Sequence, residues 1–263
     1  MNLLHLLDAL LFGYPPAPEM VDPHFPVFLQ RAGGLLLTFL VAVFSLTIGA
    51  AIGLVLALCR REPAEGLEGG IFKLATGRVA AALVETIRGL PIALLVLLVF
   101  YLPYPLLGLR LPTFVLAVAA FSLYAGVYLS EIMRAGFRSV DSRFRSVGQV
   151  LGLSPWQVFL RIELPLVCRN MLPDLINLTV TVFKDTSTLA VVAVPELAYV
   201  GRQMVMSEPA SYELASLLVL VLYWLPSFAL SVFAFRAERW RTSFGEVRSR
   251  IPVFPDVRLV DPG

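Results

Sequence analysis

Along most of this chain polar residues are the exception, and their spacing marks out the elements. No charged residue occurs between Arg31 and Arg60, between Arg88 and Arg110, between Arg110 and Glu131, or between Glu213 and Arg236. Each interval holds the roughly 20 apolar residues a helix needs to cross about 30 Å of hydrocarbon. A fifth interval, between Arg169 and Glu196, is apolar overall but interrupted by Asp174, Asn177, Lys184 and Asp185. The pattern predicts five membrane helices, at about residues 34–59, 72–101, 112–133, 171–194 and 212–235. Within the second, Pro91 follows Gly89 closely and predicts a bend near mid-membrane, because proline removes a backbone hydrogen bond. The first carries Gly33, Gly34, Gly49, Ala50, Ala51 and Gly53, small residues that let helix backbones approach closely, here by packing within the subunit.

The basic residues set the orientation. Arg60, Arg61, Lys73 and Arg78 fall between spans one and two, six arginines from Arg134 to Arg169 between spans three and four, and Arg236 to Arg258 after span five. Only Arg31, Arg110 and Arg202 fall on the other side. Positive charge accumulates in cytoplasmic loops, so the N-terminus is predicted outside and the C-terminus in the cytoplasm. A four-span reading would break this asymmetry.

Composition agrees: 58% of the 263 residues are hydrophobic and 15% charged, against about 45–50% and about 25% in soluble domains. The net charge of +2 gives no reason to invoke nucleic acid, since the basic residues flank membrane helices. The first dozen residues lack the basic start of a signal peptide and read as an uncleaved interfacial helix, and five prolines over 13–26 read as an external connector. The organisation is therefore an external segment over 1–30, one membrane domain over 31–236 with a long loop at about 134–169, and a cytoplasmic tail over 237–263. Cys59 and Cys168 map to the reducing side, and His5 and His24 are too far apart to suggest a metal site.

Ionisable residues within spans mark a pairing or a pathway. Glu85 and Arg88 lie one helical turn apart and either neutralise each other or face a water-filled route. On the fourth span Asp174, Asn177, Thr181, Lys184 with Asp185, and Thr188 recur at spacings of three and four, forming one polar stripe that cannot face lipid. Five spans enclose little room, so a second copy or sister subunit is expected to complete a route. No GxxxxGK[ST] phosphate loop, GxSxG, HExxH or paired-cysteine metal pattern occurs, which argues against an enzyme.

The polar loop holds a carefully terminated helix in VLGLSPWQVFLRIELP (150–165): Ser154 at the N-cap, Pro155 at the first helical position, Gln157 closing a capping box and Pro165 expected to stop the run. On residues alone this helix either lies passively on the membrane or transmits force.

The stretch resembles the cytoplasmic loop of bacterial ABC importer permeases, whose pattern is EAA, three residues, Gly, nine residues, Ile, one residue, Pro. Gly152, Ile162 and Pro165 match it with one residue more at the end. ETIRGLP (85–91), SEIMRAGFRSV (130–140) and KDTSTLAVVAVPEL (184–197) are similar to elements of the polar amino-acid uptake permeases of the histidine/glutamine type. The EAA triplet falls on Ser146, Val147 and Gly148, so its acidic residue is absent.

The resemblance implies an all-α permease of the bacterial inner membrane, working as a dimer with a like or sister subunit, with an external solute-binding protein and a cytoplasmic ABC ATPase dimer that holds ATP and magnesium. It implies no cofactor in this chain. Its loop would couple to the ATPase over 146–165, through Ser146, Val147, Gly148, Gly152, Leu153 and Ser154. The zwitterionic solute needs charged partners, and Glu85, Arg88, Asn177, Thr181, Lys184, Asp185, Ser187 and Glu196 are the candidate pathway residues. An ion-driven secondary transporter is the alternative.

Overall fold

The computed structural model describes residues 3–13, 33–60, 71–141, 143–207 and 209–249, with side chains described for all of these but 3, 5, 71–75, 145, 149, 211 and 237–249. The connector at 14–26, His24, Arg31 and Arg61 lie outside the described residues, as do the side chains of His5 and Lys73.

Those residues form helices throughout: α1 (Leu3–Phe12), α2 (Gly34–Cys59), α3 (Ile71–Gly89), α4 (Ile92–Tyr101), α5 (Pro103–Leu107), α6 (Thr113–Arg138), α7 (Arg143–Val150), α8 (Pro155–Val158), α9 (Leu164–Asp185), α10 (Leu197–Ser207) and α11 (Tyr212–Ser249). Extended pairing among them is limited to one isolated bridge, between Gly34 and Glu196. Among the described residues four runs are long and apolar enough to cross a membrane: Gly34–Cys59, Thr113–Arg138, Pro155–Val192 and Tyr212–Arg236. Thr76–Gly89 and Ile92–Leu107 together make a fifth, bent by 109°.

The closest packing is between α2 and α6. A Cβ on Gly49 would stand 3.0 Å from Ala125 Cβ, and one on Gly53 would stand 2.8 Å from Leu129 Cβ and 2.9 Å from the Gly126 carbonyl oxygen. Glycine at both places lets two backbones meet where lipid offers no hydrophobic drive. Ser45 Oγ donates to the Val118 carbonyl 3.3 Å away, and at the far end Arg60 pairs with Glu131. Contacts that advance together along both helices mean that α2 and α6 run parallel, so the chain between them has to come back across the bundle. A core of Val41, Val96, Phe121, Val182, Phe183 and Leu189 seals these helices to α4 and α9.

Three details differ from the pattern-based expectation. At Pro91 the second span is broken instead of kinked: Leu90 leaves the helix before proline, as residues preceding proline tend to do, and Leu94 and Leu95 N–H restart it from the Pro91 carbonyl. Pro165 does not stop its helix. A turn of π-helix over Phe159–Glu163 shifts the hydrogen-bond ladder just ahead of it, and Pro165 enters α9 in its first turn, where its missing N–H is no loss. The last helix also continues past Arg236 to Ser249, into the segment expected to be tail.

At the end of the bundle where α2 begins, α1 lies across Gly34. Gly34 has φ +54, and a Cβ there would fall 2.1 Å from the Leu10 carbonyl oxygen, so only glycine admits this crossing. Leu6 and Leu10 bury against Leu197, Val200 and Met204 of α10, which makes α1 an integral part of that end.

Candidate functional site

Glu85 and Arg88 lie in the last turns of α3, immediately before the 109° break, and both side chains are exposed. Arg88 Nη1 lies 3.7 Å from Glu85 Oε1, with both side chains well exposed, so the pair is a loose one. The Arg88 guanidinium also stands over the Tyr128 ring of α6, 5.9 Å from its centroid, within cation–π range. Tyr128 contacts Tyr124 at 4.8 Å between centroids, and the Tyr124 hydroxyl donates to Asp185 Oδ2 at 3.1 Å. A continuous polar track thus runs Glu85, Arg88, Tyr128, Tyr124, Asp185 across three successive spans.

Lys184 and Asp185 are adjacent in sequence but diverge. Asp185 is half-buried against Tyr124, whereas Lys184 is exposed and, among the described residues, has no hydrogen bond or ion pair. One and two turns earlier, Thr181 donates back to the Asn177 carbonyl at 3.0 Å, and the Asn177 side chain is exposed. Asp174 is exposed as well, its carboxylate without a partner among the described residues. The stripe predicted from spacing is therefore open along α9. Leaving a lysine or aspartate against lipid costs about 2.5–3.5 kcal/mol at mid-membrane, so this face requires protein or water. Ser187 is half-buried in the 3-10 turn Thr186–Val192 that prolongs α9, and Thr188 donates to the Asp185 carbonyl at 2.8 Å. Near the other end of α9 the stripe reaches a cleft lined by Ala135, Gly136, Ser139, Asn170 and Asp174.

Glu196 lies elsewhere in character. It is fully buried, and its carboxylate accepts from the Ala198 N–H (2.9 Å), the Tyr199 N–H (2.7 Å) and the Tyr223 hydroxyl (2.5 Å). It lies past the end of the fourth span and caps the first turn of α10. Burial pushes its carboxyl up, while the Tyr223 hydroxyl and the two amides pull it back. Thr38 joins this knot, donating to the Gly34 carbonyl at 3.2 Å and accepting from the Leu197 N–H at 3.3 Å. Sequence spacing brings Glu196 together with the other acidic candidates; the structure gives it three protein partners of its own.

The loop after α6 folds as the short helix α7 meeting, at a corner, α8, the first turn of the continuous helical run Pro155–Val192. Gly152 has φ +74 and follows α7, and the Leu153 N–H reaches back to the Gly148 carbonyl at 3.0 Å, the six-to-one bond of a glycine-terminated helix. Ser154 then caps α8. Its Oγ accepts from the Gln157 N–H at 3.3 Å, and Gln157 Oε1 accepts from the Ser154 N–H at 2.9 Å. Gly148 is buried against Val158, where a Cβ would come within 2.6 Å, so α7 and α8 close on each other. Ser146, Val147, Gly152 and Ser154 are exposed and Leu153 is half-buried.

Residues 70–243 match the family described as binding-protein-dependent transport system inner membrane component. The chain belongs to this family. It is 33% identical to the glutamine transport system permease protein GlnP of Escherichia coli K12, over 82% of this chain and 94% of that one. It is 30% identical to the L-cystine transport system permease protein TcyB of Bacillus subtilis, over 90% and 96%. Its fold resembles that of an amino acid ABC transporter solved with histidines, with a TM-score of 0.66 at 24% identity over 77% of this chain and 89% of that one. It also resembles an inward-facing MetNI methionine ABC transporter, at 0.60 and 17% over 83% and 99%. The chain is thus the permease component of an ABC importer in the inner membrane, and nothing in these likenesses favours an ion-driven transporter.

Spacing arguments missed Tyr124, Tyr128 and Tyr223 in this permease, because a tyrosine in an apolar span raises no flag of charge. The signal that could have found the first two was the four-residue step from Tyr124 to Tyr128, which puts them on one face. Also missed was the clamp one turn further along α6, where Glu131 receives Arg60 from α2 and Arg134 at 2.8 Å.

Proposed function

We propose that this permease carries polar amino acids, with five spans, the N-terminus outside and the C-terminus in the cytoplasm. The parallel run of α2 and α6 supports the broken second span as a full crossing, and the clustering of basic residues supports the orientation. The observation that carries the substrate class is the track from Arg88 to Asp185. An amino acid presents a carboxylate and an ammonium a few ångströms apart, and Arg88 with Lys184 offers cations while Asp185, and Glu85 beside Arg88, offer anions. Tyr124 and Tyr128 supply hydroxyl and ring faces between them. Asn177, Thr181 and Ser187 extend the polar lining, and Glu196 serves the route by fixing α10 instead of touching solute.

On this reading the open face of α9 is covered by a second permease subunit, and an external binding protein delivers solute. The chain holds no nucleotide motif, so ATP and magnesium reside in a cytoplasmic ATPase dimer that engages the loop at 146–165. Closure of that dimer pushes on the capped corner at Gly152 and, through the π turn, on α9, switching the route between its two faces.

The test is uptake into proteoliposomes of a panel of radiolabelled amino acids, with permease, ATPase and binding protein together. ATP-dependent accumulation of a polar amino acid is expected, lost when either partner is omitted. Uptake driven by an ion gradient without ATP would overturn the reading, as would ATP-dependent uptake restricted to a solute lacking either the carboxylate or the ammonium.

A further inference from the structure

The cleft where the polar stripe of α9 begins has no part in the track from Arg88 to Asp185. It lies between the last turn of α6 and the first half of α9, lined by Ala135, Gly136, Ser139, Asn170 and Asp174, with a volume of about 380 Å³. Small-molecule sites occupy about 300–1,000 Å³. Gly136 lets the two helices close on it, since a Cβ there would fall 2.3 Å from Met171 Cγ. Its polar groups are arranged as acceptors. Ser139 Oγ gives its proton to the Gly136 carbonyl at 2.7 Å and receives the Asn170 amide N–H at 2.8 Å, so one of the two lone pairs of the hydroxyl is left to accept with. Asp174 is exposed, its carboxylate without a partner among the described residues. The carbonyls that end α6 add negative partial charge at the same place. Arg134, which would oppose it, is held by Glu131 at 2.8 Å.

We infer that this cleft is a second subsite of the route, on its cytoplasmic side, where Asp174 and the Ser139 hydroxyl hold the ammonium of the departing amino acid. The inference rests on the reading of the chain as a polar amino-acid importer with α9 lining the route. Asn170, Asp174, Asn177, Thr181 and Lys184 follow one another at steps of three and four, so the cleft and the track share one face of α9. At a rise of about 1.5 Å per residue, Asp174 stands about 15 Å from Lys184. An amino acid, with its two charged groups a few ångströms apart, cannot reach both. A solute that leaves Asp185 therefore finds its next anion along that face at Asp174. A divalent cation fits the cleft poorly, because it takes about six oxygens or more and no group of three His, Cys, Asp or Glu side chains gathers among the described residues. One carboxylate matches one ammonium. Arg138 and Arg169, each adjoining a lining residue in sequence, bring positive charge to the same end of the bundle for the solute carboxylate.

The experiment uses the complete importer in proteoliposomes, with the binding protein outside and the ATPase and ATP in the lumen, which is then the cytoplasmic side. The lumen is loaded with each amino acid of the uptake panel in turn, or with its N-acetyl derivative, and the initial rate of ATP-dependent uptake is measured. The transported amino acid held in the lumen is expected to slow uptake. Its N-acetyl derivative, which lacks the ammonium, should leave the rate unchanged. In D174N the luminal concentration that halves uptake should rise about tenfold or more, as a charged hydrogen-bond partner is lost, while the external KM stays within about twofold of the parent. D174E should restore the inhibition. Asp174 is exposed, so D174N should insert and elute as the parent does. Absence of luminal inhibition in the parent, equal inhibition in D174N, equal inhibition by the N-acetyl derivative, or an external KM raised as far as the luminal constant would each overturn the subsite, while uptake itself upholds the importer reading. So would an uptake rate that follows the phosphatidylethanolamine content of the vesicles in the parent and not in D174N, which gives the cleft to the ammonium of a lipid headgroup. No ATP-dependent uptake of any amino acid would strike the importer reading, and this one with it.

Discussion

The Tyr124 hydroxyl donates to Asp185 Oδ2 across 3.1 Å and ties the third span to the fourth at the point where the polar stripe of α9 turns inward. The two residues are 61 positions apart, and only folding brings them together. The bond holds the Asp185 carboxylate at Tyr124, whose ring contacts Tyr128 and, through it, the Arg88 guanidinium, while Lys184 beside it is exposed.

If that carboxylate receives the solute ammonium, removing its partner should be felt in affinity first. Tyr124→Phe leaves Asp185 half-buried with one donor fewer, a loss of about 1.5–3 kcal/mol for a hydrogen bond to a charged group. Uptake at subsaturating solute should fall about tenfold or more, seen as a raised KM, and Asp185→Asn should cost at least as much. Unchanged KM in Tyr124→Phe would remove Asp185 from the route.

Glu196 should behave differently. Glu196→Ala removes three hydrogen bonds and the cap of α10, and should destabilise the permease by about 1–3 kcal/mol, read as a lower melting temperature in detergent. Glu196→Gln keeps an acceptor and should fall between. Neither should alter which amino acids compete for uptake in the protein that remains folded; a changed competition profile would return Glu196 to the solute path.

Glycine content alone does not say which glycines matter, and the structure separates them. Gly53→Ala would set a Cβ 2.8 Å from Leu129 Cβ and 2.9 Å from the Gly126 carbonyl oxygen, and should cost about 1–3 kcal/mol by prying α2 from α6. Gly89→Ala meets nothing within 4 Å. Thermal unfolding of the two variants should therefore differ in that order, and equal stabilities would show that α2 and α6 can slide apart without loss.

The sequence made the spans legible because hydrophobic length answers to one cause, the thickness of the hydrocarbon. The capping box at Ser154 and Gln157 was equally legible, since a cap is written in residues three positions apart. The 109° break was not: Pro91 announces a disturbance, but its size depends on how α3 and α4 pack afterwards. Pro165 misled for a related reason, because a stop signal lost its force once a π turn had already displaced the ladder. The site divided along the same line. Glu85, Arg88, Lys184 and Asp185 declare themselves by charge in an apolar setting, whereas the tyrosines that join them are defined by contacts between spans, and the role of Glu196 by three partners of which Tyr223 is remote in sequence.

Gly152 gives the sharpest test of force transmission, because the structure isolates its contribution. Its φ of +74 belongs to the left-handed region, and a Cβ built there meets nothing within 4 Å. Gly152→Ala therefore brings no clash, only the cost of holding an L residue in that conformation, about 1–2 kcal/mol. Asparagine tolerates the same region better, and proline, fixed near φ −65, cannot enter it at all. If the corner passes the push from the ATPase to α9, solute moved per ATP hydrolysed should decline in the order Gly, Asn, Ala, Pro, with ATP hydrolysis itself persisting and the chain still inserted in the membrane. Uptake and phosphate release measured in the same proteoliposomes give the ratio directly. Equal ratios for the alanine and proline variants and the parent would mean that the corner bears no load, and that the switch in the route is driven through another contact.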